Sequence, residues 1–294
     1  MLGNHLFGLY EKALPPELSL AEKLAFTAEL GFDYMEISID ESDERLSRLY
    51  WSQQEISAFH AILSRSSVGL QSMCLSAHRR YPFGSADPAK RAEAGRIMER
   101  AIDFARCFGI RVIQLAGYDV YYEPSSEESR TAFLEGLRSA CEMAEQKQVM
   151  LAMETMDTPF LNSITKYMDY SRMLASPWFR VYPDLGNLSA WPENDVCAEL
   201  ELGINEIVQI HLKDTLPQRD SSPGVFKGVP FGSGCVDFIR LFSRLEALGY
   251  RGPYTLEMWS SGDPSMEEIS RAKCFIAGQF HTAAHGKPGC PDML

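Results

Sequence analysis

Nowhere does this chain run to the roughly 18 uninterrupted apolar residues that a membrane-spanning helix needs, which excludes a helical span. Cysteine is sparse and poorly arranged, seven residues in 294 with no Cys-x-x-Cys pair. An odd count so spaced argues against a disulfide framework, and these cysteines read as small buried apolar residues. The start, Met1-Leu-Gly-Asn-His-Leu6, lacks a basic stretch followed by a long apolar segment, so a cytoplasmic protein is expected. Basic residues are outnumbered, 28 against 40 acidic, for a net charge of −12. That field repels a polyanion and no basic stripe offsets it, which excludes nucleic acid as a partner. A small phosphorylated substrate stays compatible, because one or two local cations hold it.

What the chain does have is length and a rhythm. Short apolar runs alternate with amphipathic stretches every 30 to 40 residues or so, the mark of βα units. Strands are expected at Phe7–Tyr10, Asp33–Ser38, Leu70–Leu75, Arg111–Ala116, Val149–Glu154, Arg180–Asp184, Ile207–His211 and Tyr254–Glu257. Helices are expected from Ser19 to Leu30, stopped by Gly31, and from Ser52 to Ser66, with Ser52 and Glu55 forming a capping box. Others run from Asp87 to Gly109, Ser126 to Gln146, Ser163 to Ala175, Asp195 to Leu202, Cys235 to Leu248 and Pro264 to Phe280. Eight units without a composition break predict an α/β fold, one (β/α)8 TIM barrel over residues 1–280. Residues 281–294 read as a patternless, disordered tail. The Pro/Gly-rich stretch between His211 and Val236 is too long for a plain connector and reads as a lid.

The ends of the last four strands carry the chemistry. Val149-Met-Leu-Ala-Met-Glu154 is an apolar run that surfaces in a carboxylate. The next three strands end in Asp184, His211 and Glu257. Burying a carboxylate is costly unless it is paired or binds a cation, and four such endings in succession make a constellation at the face where barrel active sites lie. Two glutamates, an aspartate and an imidazole suit Mn²⁺, Mg²⁺ or Co²⁺ better than a thiolate zinc site would. Such an ion, with positions left open, would polarise a ketone and its neighbouring hydroxyl, and two carboxylates flanking the C–H bond would serve as acid and base. That is the chemistry of an epimerase or sugar isomerase.

The motifs Met153-Glu154-Thr-Met-Asp157, Tyr182-Pro-Asp184-Leu-Gly-Asn187-Leu-Ser-Ala-Trp191, Ile210-His211-Leu-Lys213-Asp214 and Leu256-Glu257-Met-Trp259 resemble the xylose-isomerase-like barrel superfamily. More closely, Gly8-Leu-Tyr10-Glu11-Lys12-Ala-Leu-Pro15, Leu75-Ser-Ala-His78-Arg79-Arg80 and Gln114-Leu-Ala-Gly117-Tyr118-Asp119-Val-Tyr121-Tyr122 resemble the L-ribulose-5-phosphate/L-xylulose-5-phosphate 3-epimerases of pentose and ascorbate catabolism. The resemblance runs from Phe7 to about Phe280. It implies inversion at C3 of a ketopentose 5-phosphate through an enediolate. It also implies a divalent metal, Mn²⁺ first with Mg²⁺, Co²⁺ or Zn²⁺ as alternatives, on Glu154, Asp184, His211 and Glu257. The two glutamates double as the proton-transfer groups, and a homodimer or tetramer is implied too. Free-sugar epimerases of this type carry a second histidine where this chain has Asn187, and Ser233 stands where phosphate-sugar relatives carry an acid.

The substrate contacts expected on these grounds are His78, Arg79, Asp157, Asn187, Lys213 and Lys227. Lys213 is placed nearer the sugar, and Lys227 or Arg79 nearer the phosphate. His78 reads equally as a structural histidine; Asp157 and Glu36 read either as partners of substrate hydroxyls or as groups that orient the ligands. Tyr118, Tyr121, Tyr122 and Trp191 are pocket candidates, while His60, His281 and His285 are not expected to be ligands. The rival reading is a metal-dependent isomerase or dehydratase acting on an unphosphorylated sugar or cyclic polyol.

Overall fold

The computed structural model describes residues 2–259 and 266–286. Strand β1 (Phe7–Tyr10) passes through a 3-10 turn at Glu11–Ala13 into α1 (Leu20–Glu29). Strand β2 (Tyr34–Ile39) leads to a short α2 (Asp43–Leu46), a second 3-10 turn (Ser47–Tyr50) and α3 (Gln53–Leu63). Then come β3 (Gly69–Leu75), α4 (Pro88–Phe108), β4 (Val112–Ala116) and α5 (Glu127–Lys147). The second half holds β5 (Met150–Glu154), α6 (Ile164–Leu174), β6 (Phe179–Tyr182), α7 (Leu185–Ala190), α8 (Val196–Gly203) and β7 (Ile210–Leu212). A hairpin of β8 (Asp214–Leu216) and β9 (Val225–Val229) leaves the barrel before α9 (Phe238–Ala247), β10 (Tyr254–Leu256) and α10 (Met266–His285).

Eight strands form one parallel sheet in the order β6-β5-β4-β3-β2-β1-β10-β7. Between β6 and β7 the cylinder closes through two isolated parallel bridges, Val181 with Ile207 and Asp184 with His211. The chain is a single-domain (β/α)8 TIM barrel, as its rhythm predicts.

Local chemistry sets the element ends. Ser19 and Ser52 each accept from the backbone three residues on, and Glu22 and Glu55 reach back in return, closing two capping boxes. Helix α4 starts on the Asp87 cap with Pro88 in its first turn, and stops at Gly109, whose φ of 72° favours glycine. Helix α9 buries Phe238, Leu241, Phe242 and Leu245, one face at helical spacing, each worth about 1.5–3 kcal/mol in apolar transfer.

The barrel interior departs from the usual filling of branched apolar side chains. Tyr34, Glu36, Ser72, Tyr182, Gln209 and Thr255 are all buried inside it and hydrogen-bonded to one another. Gly8 makes room for this layer, since a Cβ there would lie 2.1 Å from the Tyr34 ring.

A second buried polar cluster lies behind β1. Glu11 is fully buried and accepts from both terminal nitrogens of Arg48 at 2.7 and 2.9 Å, from Lys23 at 3.1 Å and from the Ser38 backbone at 2.8 Å. It thereby joins β1, α1, β2 and the turn that carries Arg48. Burial works against its charge, but Arg48 and Lys23 outweigh that and hold the carboxyl at about 2.

Three sequence expectations are revised. The stretch after His211 is ordered as the β8–β9 hairpin, and Asp214 anchors its return by accepting from the backbone of Gly232, Gly234 and Val236. The helix expected from Cys235 begins at Phe238, on the Asp237 cap. The last helix continues to His285, so residues 281–285 extend α10; residues 287–294 of the expected tail lie outside the described residues. Among the described residues no helix is long and apolar enough to cross a membrane.

Candidate active site

The four strand-end residues converge. Glu154 closes β5, Asp184 caps α7 just after β6, His211 lies in β7, and Glu257 follows β10. All four are buried, and one ligand atom from each lies within 4.8 Å of the others. His211 Nδ1 is 3.2 Å from Glu154 Oε1, 3.6 Å from Glu257 Oε2 and 3.9 Å from Asp184 Oδ2. The helix cap fixes Asp184: its Oδ1 accepts from the Asn187 backbone at 2.7 Å, which leaves Oδ2 facing the cluster. The side-chain amide of Gln114 donates to Glu154 Oε2. Glu257 is held from behind, its backbone N–H donating to the Leu212 carbonyl at 2.9 Å.

The electrostatics of this cluster call for a cation. Burial raises Glu154, aided by Glu257, and raises Asp184 against the pull of Lys213. Glu257 is buried too, but Lys213 and His211 outweigh the burial and hold it at about 2. Burial depresses His211 while Glu36, Glu257 and Glu154 together lift it well above the ordinary imidazole value. Lys213 bridges the acids, its Nζ 3.0 Å from Asp184 Oδ2 and 3.1 Å from Glu257 Oε2, and these carboxylates raise it despite its burial. Counting Glu36, four carboxylates face one lysine and one imidazole. A divalent ion relieves that excess, and three hard oxygen donors with one imidazole nitrogen fit such an ion.

A cavity opens above the quartet. Its lining includes Glu154 and Glu257 together with Arg79, Asp157, Asn187, Lys213 and Lys227. Five of the six expected substrate contacts therefore share one wall system. His78 does not join them: its Nε2 pairs with the Ala94 carbonyl at 3.2 Å, and its ring packs 4.6 Å from that of Phe83. Burial holds it down at about 4, which keeps the ring neutral near pH 7. Asn187 donates from Nδ2 to the Thr155 carbonyl at 2.7 Å, while its buried Oδ1 has no hydrogen-bond partner among the described residues. Asp157 accepts from Tyr118. Arg80 points outward to Asp43 at 2.6 Å.

The cations on this wall differ in how they are engaged. Lys12 is paired with Asp40 at 2.5 Å, and Lys213 with the acids below it. Arg79 is stacked between Tyr118 and Tyr121, 5.4 and 5.1 Å from their ring centroids, and Lys227 stands 5.4 Å from the centre of Trp259. Among the described residues neither has an ion-pair partner. The lining also includes Tyr10, Lys12, Cys74 and Trp259, which composition and pattern do not single out. The signal that finds three of them is the strand-end rule applied to all eight strands, since Tyr10 ends β1, Cys74 is the residue before the last of β3 and Trp259 lies three residues beyond β10.

Residues 24–275 match the family model described as xylose isomerase-like TIM barrel, and the chain belongs to that family. It is 54% identical over 282 residues to SgbU of Escherichia coli (strain K12), provisionally named an L-ribulose-5-phosphate 3-epimerase, covering 95% of this chain and 98% of that one. L-ribulose-5-phosphate 3-epimerase UlaE of Escherichia coli O139:H28 (strain E24377A / ETEC) is 51% identical over 278 residues, 94% of this chain and 95% of that one. Within the family, the chain is a carbohydrate epimerase, an enzyme of the isomerase class. Its fold is also that of a solved L-ribulose 3-epimerase, with a TM-score of 0.73 at 19% identity over 95% of this chain and 96% of the other.

Proposed function

We propose that this enzyme interconverts L-xylulose 5-phosphate and L-ribulose 5-phosphate by moving the proton at C3, with Mn²⁺ as its ion. Glu154, Asp184, His211 and Glu257 would hold the ion. It would polarise the ketone and the neighbouring hydroxyl, which acidifies the C–H bond of the hydroxyl-bearing carbon C3. Glu154 and Glu257, reaching in from strands on different sides of the mouth, take the proton from one face of C3 and return one to the other, with a planar enediolate between the two transfers. Lys213 stays with the sugar oxygens near Glu257. The orphaned Oδ1 of Asn187 accepts from a substrate hydroxyl, and Asp157 does the same from the opposite wall.

The observation that carries the reading is the pairing of this anionic quartet with two cations on the same cavity, Arg79 and Lys227, that have no ion-pair partner among the described residues. A phosphate ester supplies the charge both require. Relatives about half identical over nearly the whole chain bear the name of the same reaction.

The test is to incubate the purified protein and Mn²⁺ with L-xylulose 5-phosphate in deuterated water. L-ribulose 5-phosphate carrying deuterium at C3 is expected. Loss of water from the substrate would mark a dehydratase, and absence of C3 exchange with any ketopentose phosphate would overturn the proposal. Lys227→Ala should raise KM for the phosphate ester about 10- to 100-fold, the worth of one hydrogen bond to a charged group, and leave that for the free ketose nearly unchanged. An equal effect on both would remove Lys227 from the phosphate.

A further inference from the structure

The interior polar layer of the barrel ends on one group, Glu36. This carboxylate is fully buried on β2, and its Oε1 lies 2.6 Å from His211 Nε2, the ring nitrogen that faces away from the other three acids. Its Oε2 accepts from Ser72 and from Tyr182, the latter at 2.9 Å. Those two donors are themselves held. Tyr182 and Thr255 are 2.8 Å apart, and with the Tyr182 proton given to Glu36 the threonine must donate to the phenol. Gln209 Nε2 donates at 2.8 Å to both Ser72 and Thr255. Three strands besides β2 and β7, namely β3, β6 and β10, together with Gln209 just ahead of β7, thus contribute to fixing one carboxylate against one imidazole.

A neutral imidazole carries its proton on one nitrogen only, and an ionised carboxylate accepts without donating. From this geometry we infer that Glu36 is a positioning residue that fixes His211 as the Nε2–H tautomer and so presents Nδ1 as the ligand atom for the cation. Nδ1 is the nitrogen within 3.2 to 3.9 Å of Glu154, Glu257 and Asp184. The inference depends on the metal-dependent reading above and extends it to a residue that touches neither the ion nor the sugar. Partners of this kind, a carboxylate behind a ligating histidine, set ring orientation and ligand basicity.

The test reads metal and tautomer directly. With histidine labelled by ¹⁵N in the full-length protein loaded with Zn²⁺, the His211 signal, assigned by its loss in His211→Asn, should show a proton on Nε2 and the ion on Nδ1. The opposite arrangement would overturn the inference, and this arm needs no Glu36 variant to fold. In Glu36→Gln, calorimetric titration should show Mn²⁺ bound about 10- to 100-fold more weakly than by wild type, at a temperature where both are folded. Glu36→Asp should recover part of that loss. Unchanged affinity in a folded Glu36→Gln protein would refute the positioning role while leaving the proposed reaction intact. If wild-type protein bound no Mn²⁺ or Zn²⁺, the metal-dependent reading would fall and this inference with it.

Discussion

Glu257→Gln and Glu154→Gln should each fold normally and lose about 10²- to 10⁴-fold in turnover, because an amide neither takes nor returns the C3 proton. The two variants should fail differently. If each glutamate serves one face of the sugar, Glu257→Gln retains Glu154 and still exchanges the C3 proton of one epimer with solvent, without inversion. Glu154→Gln does the same for the other epimer. The measurement is deuterium wash-in at C3 against epimer formation, one epimer at a time. A Gln variant with wild-type turnover would refute its assignment. Exchange by one variant from both epimers would place both transfers on a single carboxylate.

Glu11→Gln should destabilise the fold by about 3–5 kcal/mol, the cost of leaving buried cations without their counter-charge. The residue sits in a stretch shared with the epimerase motifs, yet its partners are Arg48, Lys23 and Ser38, all part of the scaffold. The pH dependence follows from its depressed carboxyl. The ordinary value is 4.5 and the folded value about 2. Its contribution is therefore complete above about pH 4.5 and disappears as pH falls toward 2. Urea unfolding of wild type and variant at pH 7 and at pH 3 checks both statements. The gap between the two proteins should shrink at the lower pH, and a gap below about 1 kcal/mol at pH 7 would mean that the cluster adds little.

The barrel was legible because its signals are local. A capping serine three residues before a glutamate needs no tertiary knowledge, and the helices capped by Ser52 and Asp87 begin where the sequence places them. The quartet was legible for a related reason, since a carboxylate or imidazole closing a buried apolar run has few structural uses. What failed depends on contacts distant in sequence. Asp184 reads as the last residue of a strand, whereas it turns the chain into α7, a helix buried along most of its length that has no polar face to betray it. Strand β9 of the hairpin is exposed or half-buried throughout and β8 is only three residues long, so neither shows the apolar alternation that would have marked it. His78 lies just past a strand end, where function is expected, yet its ring turns to the Ala94 carbonyl and the Phe83 ring and lies outside the cavity lining, a placement the local sequence does not show. The separation of Arg79 and Lys227 from the paired cations Lys12 and Lys213 follows from where acids far along the chain come to rest.

The joint between β6 and β7 has one further consequence. These neighbours share only two isolated bridges, and one of those links Asp184 to His211. An ion gripped by both residues would rivet the staves together where the hoop is thinnest. Loading the enzyme and tightening its cylinder would then be a single event, and a chain stripped of its ion should loosen first along that edge.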